Sequence, residues 1–384
     1  MRSACIRSVY MSANTQEPAE PSQKPHPWSL QVATVAGIPL RLHITFFLLL
    51  IWIFLVGGRS WAMVLLVALV FLCVVLHEFG HALVAKHYGV GTKDITLYPI
   101  GGVAMLQGRP KPRQEFWIAL AGPLVNVAIA IIIGAYLYAT KHALPDFKMG
   151  IDPNSTLAEN LYRTNIWLPL FNMIPAFPMD GGRVLRAFLG FFMPDVKATQ
   201  IAASIGQMIA FGFGFYGLMK GMLLLVIIAA FVFLGASQEV QTSVGLSLVA
   251  GKFIRDAMQT RYRTISSGAS LQEAADMLLA GSQHDFPVVA GEGVIGLLTR
   301  EDISRGLADE GPTGYVAGQM NREFTRISPD EQLENAFEAF AESNSDPLLV
   351  MNGDELIGML TQENFSEFLM LEHAKSRRTA PTQS

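Results

Sequence analysis

Long uncharged and mostly apolar stretches dominate the first 240 residues of the chain. Six of them approach the length of a membrane-crossing helix, which needs about 20 apolar residues. The six stretches are Leu42–Gly58, Ser60–Leu76, Phe116–Thr140, Thr164–Met179, Ala198–Met219 and Gly221–Gln238. The last two are joined at Lys220 with almost no loop, which indicates a tight helical hairpin. The pattern predicts a polytopic α-helical membrane protein with about six transmembrane helices.

One segment between the second and third stretches departs from the helical pattern. From Gly89 to Pro110, β-branched residues and glycines replace helix formers, which predicts a strand or a β-hairpin. Irregular backbone at membrane depth is tolerated where protein or water satisfies its hydrogen bonds. We therefore expect a small membrane-associated hairpin beside a cavity, with an ordinary cytoplasmic hairpin as the alternative.

The rest of the chain carries an internal repeat. The segment Val294–Asp302 (VIGLLTRED) recurs as Leu356–Asn364 (LIGMLTQEN), and Ile265 and Leu271 recur at the same spacing as Ile327 and Leu333. Each copy has the order strand, helix, strand, strand, helix. Self-similarity of this kind predicts two copies of one folding unit, here an α/β module that follows the membrane region.

The density of charged residues changes near residue 240, where the apolar stretches end. Residues 27–239 carry 23 charged side chains in 213 positions, whereas residues 240–384 carry 32 in 145. The membrane part has a net charge of +5 and the tail a net charge of −10, and so acidic a tail argues against a nucleic-acid partner. Lys and Arg in the short loops favour the side of the N-terminus, which the positive-inside rule makes cytoplasmic. We expect a multi-pass protein of the cell (inner) membrane with both termini cytoplasmic.

The second apolar stretch ends in a cluster of ionisable residues. His77, Glu78 and His81 fall on a helix that is otherwise apolar enough for a membrane. Histidines four residues apart share a helical face and can bind zinc together, while Glu78 beside them can accept a proton from water. The same pattern also occurs by chance in many helices, but each polar residue inside a membrane costs about 2–3 kcal/mol. The position of the cluster therefore favours a zinc site over a chance match.

Zinc needs a further protein ligand, and the fourth stretch offers one. Asp180 follows two prolines and precedes Gly181 and Gly182. Proline interrupts helical hydrogen bonding and glycine permits close backbone approach, so this segment can unwind and turn the carboxylate toward a metal. An aspartate before two glycines also suits a simple turn, and the residues alone leave both roles open.

Together, the histidine cluster and the segment Asn172–Gly181 (NMIPAFPMDG) resemble the motifs of the site-2 protease family of intramembrane zinc metalloproteases. The order and spacing of the motifs match that family over roughly residues 30–240. The resemblance implies that one zinc ion is bound by His77, His81 and Asp180. It also implies that Glu78 is the general base and acid of peptide hydrolysis.

The resemblance covers three further places. It implies that Asn172 stabilises the oxyanion. The Gly101-Gly102 pair of the predicted hairpin and the segment Gly122–Asn126 (GPLVN) are also similar to the family. We expect Gly101, Gly102 and Asn126 to position the substrate, which adds as a strand to the edge of the hairpin.

The repeats resemble a pair of cystathionine-β-synthase (CBS) domains over about residues 252–372. In that family a Gly-x-x-Thr-x-x-Asp turn often holds the ribose of an adenine nucleotide. The first copy has Gly296, Thr299 and Asp302, and the second has Thr361 but Asn364 in place of the aspartate. The resemblance thus implies ATP or another adenine nucleotide as a candidate ligand, and homodimerisation through the CBS domains as the other candidate role.

These inferences divide the chain into five parts. Residues 1–27, rich in Ser, Pro, Gln and Glu, are predicted to be a disordered cytoplasmic extension. The others are residues 28–240, an intramembrane zinc metalloprotease domain; 252–311, CBS domain 1; 312–372, CBS domain 2; and 373–384, a disordered tail.

We expect a zinc metalloendopeptidase that cleaves membrane-protein substrates in or near their transmembrane segments, in contact with the lipid bilayer, in regulated intramembrane proteolysis. The alternatives are a CBS-regulated membrane transporter, a catalytically silent membrane binding protein and another type of membrane zinc protease. A transporter does not explain Glu78 beside two helix-spaced histidines, and a silent protein would be expected to lack a ligand or the base. Other membrane zinc proteases usually take their third ligand from a later glutamate.

Overall fold

A computed structural model of the chain describes residues 28–56, 59–99, 101–106, 108–152, 154–291, 293–343 and 347–379. The predicted extension, residues 1–27, lies outside them. The described helices are α1 (Ile44–Val56), α2 (Trp61–His87), α3 (Pro112–Lys141), α4 (Leu157–Asn172), α5 (Asp180–Leu189), α6 (Asp195–Lys220), α7 (Leu223–Val249), α8 (Leu271–Leu279), α9 (Arg300–Asp309), α10 (Val316–Gln319), α11 (Asn335–Glu342) and α12 (Gln362–Thr379). The described strands are β1 (Ser29–Val35), β2 (Ile38–His43), β3 (Thr92–Tyr98), β4 (Gly101–Leu106), β5 (Ile265–Ser266), β6 (Phe286–Ala290), β7 (Gly293–Leu298), β8 (Arg326–Ile327), β9 (Leu348–Asn352) and β10 (Glu355–Leu360).

Four helices, α2, α3, α6 and α7, are long and apolar enough to cross a membrane. The other two predicted spans correspond to α1, with 13 residues, and α4, with 16. Helix α4 begins earlier than its apolar stretch because Thr156 and Glu159 form a capping box at its first turn. It ends at Asn172, so the following segment, predicted as part of the span, is a loop. A helical membrane region is confirmed, and the number of crossings stays a prediction.

The predicted hairpin is present as the antiparallel strands β3 and β4. It belongs to a four-stranded sheet of order β1-β2-β3-β4, in which β2 and β3 run parallel. The first two strands were not predicted, and Leu42, taken as the start of the first span, lies in β2. Their signal is an alternating pattern interrupted by Ala36 and Gly37, which turn the chain with φ angles of +55° and +85°.

The tail forms the predicted α/β module. Each copy has the order strand, helix, strand, strand, helix, and its strands form a three-stranded sheet, β5-β6-β7 in the first copy and β10-β9-β8 in the second. Buried side chains from both copies pack together, namely Val294, Leu297, Leu349, Met351 and Met359.

The end of the chain differs from the prediction. Helix α12 continues to Thr379, so residues 373–379, predicted as the start of a disordered tail, are helical. An ion pair between Lys375 and Glu372, three residues apart, supports this part of the helix. The last five residues lie outside the described part of the chain.

Candidate active site

Helix α2 carries two histidines that face the same point in the membrane region. Four positions separate His77 from His81, so both imidazoles project from one side of the helix. Their Nε2 atoms lie 3.1 Å apart, and the residues are only 3% and 6% exposed. Gly122 of α3 permits this packing, because a Cβ atom there would lie 2.3 Å from the Nε2 atom of His81. Only glycine fits where α3 covers the two rings.

Asp180 reaches the histidines from the first turn of α5. Its Oδ2 atom lies 3.1 Å from His77 Nε2 and 3.3 Å from His81 Nε2. The loop before α5 folds back closely on this turn, since a Cβ atom at Gly181 would lie 2.3 Å from the backbone oxygen of Ile174. The close approach that glycine allows thus holds the carboxylate against the two imidazoles.

Hydrogen bonds behind the two rings fix the positions of their protons. His81 Nδ1 lies 2.7 Å from the backbone oxygen of Ile118, which can only accept, so this Nδ1 carries a proton. His77 Nδ1 lies 2.5 Å from Asn126 Oδ1. The Nδ2 atom of Asn126 donates to Asn165 Oδ1 over 2.8 Å, so Oδ1 is the acceptor toward His77. With the proton on Nδ1, a ring that is neutral presents its Nε2 atom to the carboxylate as an electron-pair donor.

Three potential metal-ligand atoms converge at this point. Two imidazole nitrogens and one carboxylate oxygen lie 3.1–3.3 Å from one another, and such an arrangement is repulsive unless protons or a metal cation lie among them. A tetrahedral zinc ion with bonds of about 2.0–2.1 Å separates its ligand atoms by about 3.3 Å. Among the described residues, this is the one group of three histidine, cysteine or acidic side chains close enough to hold a metal ion. The donors and their spacing fit zinc.

Asn126 lies behind His77 and not at a surface that a substrate can reach. It is fully buried. Its amide contacts the His77 imidazole and orients that ring, whereas the sequence predicted that it positions the substrate. Asn165, which no motif singled out, is also fully buried and holds the amide of Asn126. Its second partner is the backbone oxygen of Leu161, to which Nδ2 donates over 2.9 Å. The available signal was an amide inside an apolar stretch, where polar side chains are costly.

Glu78 faces strand β4 beside the histidines. A Cβ atom at Gly102 would lie 2.5 Å from Glu78 Cγ and 3.2 Å from Oε1, so the strand passes directly against this side chain. Within the described sheet, β4 is an edge strand. Gly101 opens the strand with a φ angle of +143°, which favours glycine, and a Cβ atom there would contact nothing within 4 Å. Of the two glycines, Gly102 is the one that contacts Glu78.

Asn172 ends helix α4 close to His77. Its Nδ2 atom lies 3.5 Å from His77 Nε2, and the side chain is half-buried. An amide donor at this place can bind an oxygen atom that develops negative charge beside the histidines. The structure therefore brings Asn172 together with the three candidate metal ligands.

The candidate nucleotide residues of the tail lie in one turn of each CBS copy and form helix caps. Thr299 is the N-cap of α9, and its hydroxyl donates to Asp302 Oδ2 over 2.7 Å. Asp302 also pairs with Arg305 over 3.0 Å. In the second copy, the hydroxyl of Thr361 donates to Asn364 Oδ1 over 2.7 Å. The threonine and the residue three positions after it, Asp302 or Asn364, thus have a local structural use in both copies.

Gly296 lies in β7, the strand that leads directly into the first of these caps. A Cβ atom there would lie 2.8 Å from Met320 Sδ and 3.0 Å from the backbone oxygen of Asn321. The equivalent glycine of the second copy, Gly358, meets Met258 in the same way, at 2.9 Å from Sδ. In each copy the glycine lies in a strand that is crossed by a segment of the other copy, the one just before that copy's first strand. Because glycine has no Cβ atom, the two backbones can approach closely.

A buried site of two histidines and one carboxylate, with a glutamate beside it and membrane-length helices around it, defines a membrane metalloprotease. The family model of peptidase family M50 matches residues 64–163, and the CBS domain model matches residues 254–309 and 316–371. The chain is 33% identical over 339 residues to zinc metalloprotease MJ0392 of Methanocaldococcus jannaschii, which covers 87% of this chain and 94% of the relative. The chain belongs to peptidase family M50, the site-2 proteases, and carries tandem CBS domains.

Two other similarities accompany this assignment. The protein sll0528 of Synechocystis is 26% identical over 374 residues, which cover 90% of this chain and 97% of the relative. The solved structure of the site-2 protease from Methanocaldococcus jannaschii is 40% identical with a TM-score of 0.43, and it covers 56% of this chain and 95% of the solved chain.

Proposed function

We propose that the protein is an intramembrane zinc endopeptidase that cleaves membrane proteins in or near their transmembrane segments, in regulated intramembrane proteolysis. The observation that carries the proposal is the meeting of three elements at one point. The histidines of α2, the carboxylate at the start of α5 and the edge strand β4 surround Glu78. A metal site, a base and a place for an extended substrate therefore lie side by side.

In this proposal His77, His81 and Asp180 hold one zinc ion. When bound, zinc polarises the scissile carbonyl and lowers the pKa of water toward neutrality. Glu78 accepts a proton from the attacking water and passes it to the leaving amine. The Nδ2 atom of Asn172, beside His77, donates to the oxygen that becomes negative.

A transmembrane substrate must expose its backbone before it can be cut, because a helix engages its carbonyls in internal hydrogen bonds. We propose that the unwound segment pairs with β4, whose outer edge has no neighbouring strand among those described. Contact between Gly102 and Glu78 supports this placement, since a strand added at β4 runs beside the base.

The proposed location is the cell (inner) membrane with both termini cytoplasmic. The excess of Lys and Arg in the loops on the side of the N-terminus supports it. The acidic CBS tail, which follows α7 directly, is then cytoplasmic as well.

For the CBS pair we propose either binding of ATP or another adenine nucleotide, or formation of a homodimer. The Gly-x-x-Thr turns of both copies support the first role. Equilibrium binding of labelled ATP to the full-length protein, with and without Thr299→Val, tests the first role. Native mass spectrometry of the same protein tests the second.

The proteolytic function is tested with detergent-purified full-length protein and a single-span membrane substrate. Glu78→Gln keeps the shape of the side chain but removes the base, and general base catalysis contributes about 10²–10⁴-fold. We expect at least a 100-fold loss of cleavage with zinc retained. Glu159→Gln is the matched control, because Glu159 pairs with Lys141 on another helix and glutamine preserves its helix cap. Equal cleavage by the wild type and Glu78→Gln would exclude the proposed mechanism.

A further inference from the structure

Helix α7 lies against the element that carries Asp180. One face of α7 presents Val232, Ala236 and Glu239, which are spaced by four and three residues. Val232 packs with Ala176, and Ala236 packs with Phe177, in the loop before α5. The loop that turns Asp180 toward the histidines therefore rests on α7.

The next contact along this face is a buried ionic cluster. Arg186, two turns after Asp180 on α5, donates from Nε to Glu115 Oε1 of α3 over 2.9 Å, and its Nη2 atom pairs with the same oxygen. Its Nη1 atom pairs with Glu239 of α7. Arg186 and Glu115 are 7% and 6% exposed, and the guanidinium also lies over the ring of Phe177, 5.2 Å from its centroid. Arg186 thus fixes α5 between the helix that covers the histidines and α7.

The far end of α7 is part of the tail. Val249, its last residue, is fully buried in the core of the second CBS copy with Ile254, Leu333 and Leu348. The helix is continuous from the ionic cluster to this core. Ten residues separate Glu239 from Val249, which is about 15 Å of helix. Helix α7 therefore connects the CBS core to Glu239 without an intervening loop.

A second contact ties α7 to the segment that follows β4. The Nη2 atom of Arg109 donates to Ser243 Oγ over 3.3 Å, and its Nη1 atom pairs with Asp195 over 2.9 Å. Ser243 is 2% exposed and also donates to Thr199 on α6. Helix α7 thus contacts two elements near the site. One is α5, the helix that carries Asp180, and the other is the segment that follows the edge strand β4.

We infer that Arg186, clamped by Glu115 and Glu239, is a positioning residue that sets Asp180 against the two histidines, and that α7 couples this clamp to the CBS module. The inference rests on the proposed zinc site. A guanidinium suits the clamp because its planar fork binds two carboxylates at once, which an ammonium group does not do with the same geometry. The clamp acts on zinc affinity through Asp180 and touches neither substrate nor metal.

The clamp is tested by zinc titration of full-length protein against a competing chelator. Loss of a group that orients a metal ligand typically costs about 10–100-fold in affinity. We expect Glu239→Gln to weaken zinc binding about 10-fold and Glu239→Asp, which keeps the charge, to weaken it less. Glu159→Gln, the same change in an ion pair away from the site, should bind zinc as the wild type does.

The outcomes separate the two ideas. Absence of zinc binding by the wild type would contradict the proposed function itself. Zinc binding that is equal in the wild type and in Glu239→Gln, with only a lower unfolding temperature for the variant, would mean that the cluster is merely structural. Zinc binding that weakens equally in Glu239→Gln and Glu239→Asp would also overturn the inference, because charge would then not matter.

The coupling is tested by a double-mutant cycle on the same zinc affinities. Val249→Ala loosens the junction of α7 with the CBS core, and we expect it to change the zinc affinity several-fold in the wild type. In the Glu239→Gln background the same change should have no further effect, because coupled sites are not additive. Effects that add, or an unchanged affinity in Val249→Ala alone, would rule out the coupling.

Discussion

The membrane site and the CBS turns use their polar motif residues in opposite ways. In the CBS turns, Thr299 and Asp302 satisfy each other in a helix cap. In the membrane site, the Nδ1 atoms of His77 and His81 are satisfied from behind, while their Nε2 atoms converge with Asp180 Oδ2 on one point. Buried polar atoms normally have partners. Three potential metal-ligand atoms that converge on one point are therefore a stronger sign of a ligand than a motif whose members cap a helix.

The largest expected effect in this comparison comes from the glycine that covers the histidines. A Cβ atom at Gly122 would lie 2.3 Å from His81 Nε2 and 2.7 Å from His77 Nε2, and would displace both imidazoles. We expect Gly122→Ala to lower zinc affinity more than 100-fold, which exceeds the usual effect of a change behind a ligand, and to abolish cleavage. Gly212→Ala on α6, where the added atom contacts nothing within 4 Å, is the control. Normal zinc binding by Gly122→Ala would contradict the proposed site.

A change at the edge strand should separate chemistry from metal binding. A methyl group at Gly102 would displace Glu78, whose Cγ atom would be 2.5 Å from it. A misplacement of about 1 Å can cost about 100-fold in rate, so we expect Gly102→Ala to lower kcat/KM by about that factor with zinc affinity unchanged. Gly293→Ala on β7 is the matched control, since no atom lies within 4 Å of its added methyl. If zinc affinity falls instead, β4 supports the metal ligands and not the base.

A change in the amide chain behind His77, formed by the side chains of Asn126 and Asn165, should have a smaller effect. Asn165→Leu removes the acceptor that fixes the Asn126 amide, so its oxygen no longer has to face the imidazole. We expect zinc affinity to fall about 10-fold, the lower end of the usual range for such partners. Thr164→Val on the same helix removes a hydroxyl that donates to the backbone oxygen of Asn160, and should change little. Equal zinc affinities for the two variants would remove the orienting role of the amide chain.

The smallest effect is expected in the CBS turns. Loss of an N-cap hydroxyl costs about 1 kcal/mol, so Thr299→Val should speed hydrogen exchange in α9 about 5-fold in the full-length protein. Thr361→Val should do the same in α12, and neither should alter zinc affinity. A much larger loss of protection in the first copy, or protection that returns only when ATP is added, would indicate that Thr299 serves a ligand as well as the cap.

Sequence pattern predicted the parts of the molecule whose signals are local. The tail repeats Val294–Asp302 as Leu356–Asn364 at a fixed spacing, and the histidines of α2 stand out because they interrupt an apolar helix. The prolines and glycines around Asp180 singled it out as a candidate, but only the resemblance to the site-2 protease family implied that it is a metal ligand.

Other features depend on contacts that no local pattern records. The β1–β2 hairpin went unnoticed because its second strand merges with the first apolar stretch. Asn165 and Glu239 belong to the site only through partners 39 and 53 residues away in the chain. Asn126 was assigned to the substrate because spacing alone does not reveal which side of a histidine an amide occupies.

The central claim is that three residues from two separate helices form a zinc site beside Glu78. The most direct test is the zinc content of the full-length wild type and of Asp180→Ala, after equilibration with the same weak chelator. We expect about one zinc ion per wild-type chain, since two histidines and one carboxylate are the three protein ligands of a catalytic zinc site with an open fourth position, and loss of zinc from the variant. Zinc retained equally by both proteins, or absent from the wild type, would contradict the claim.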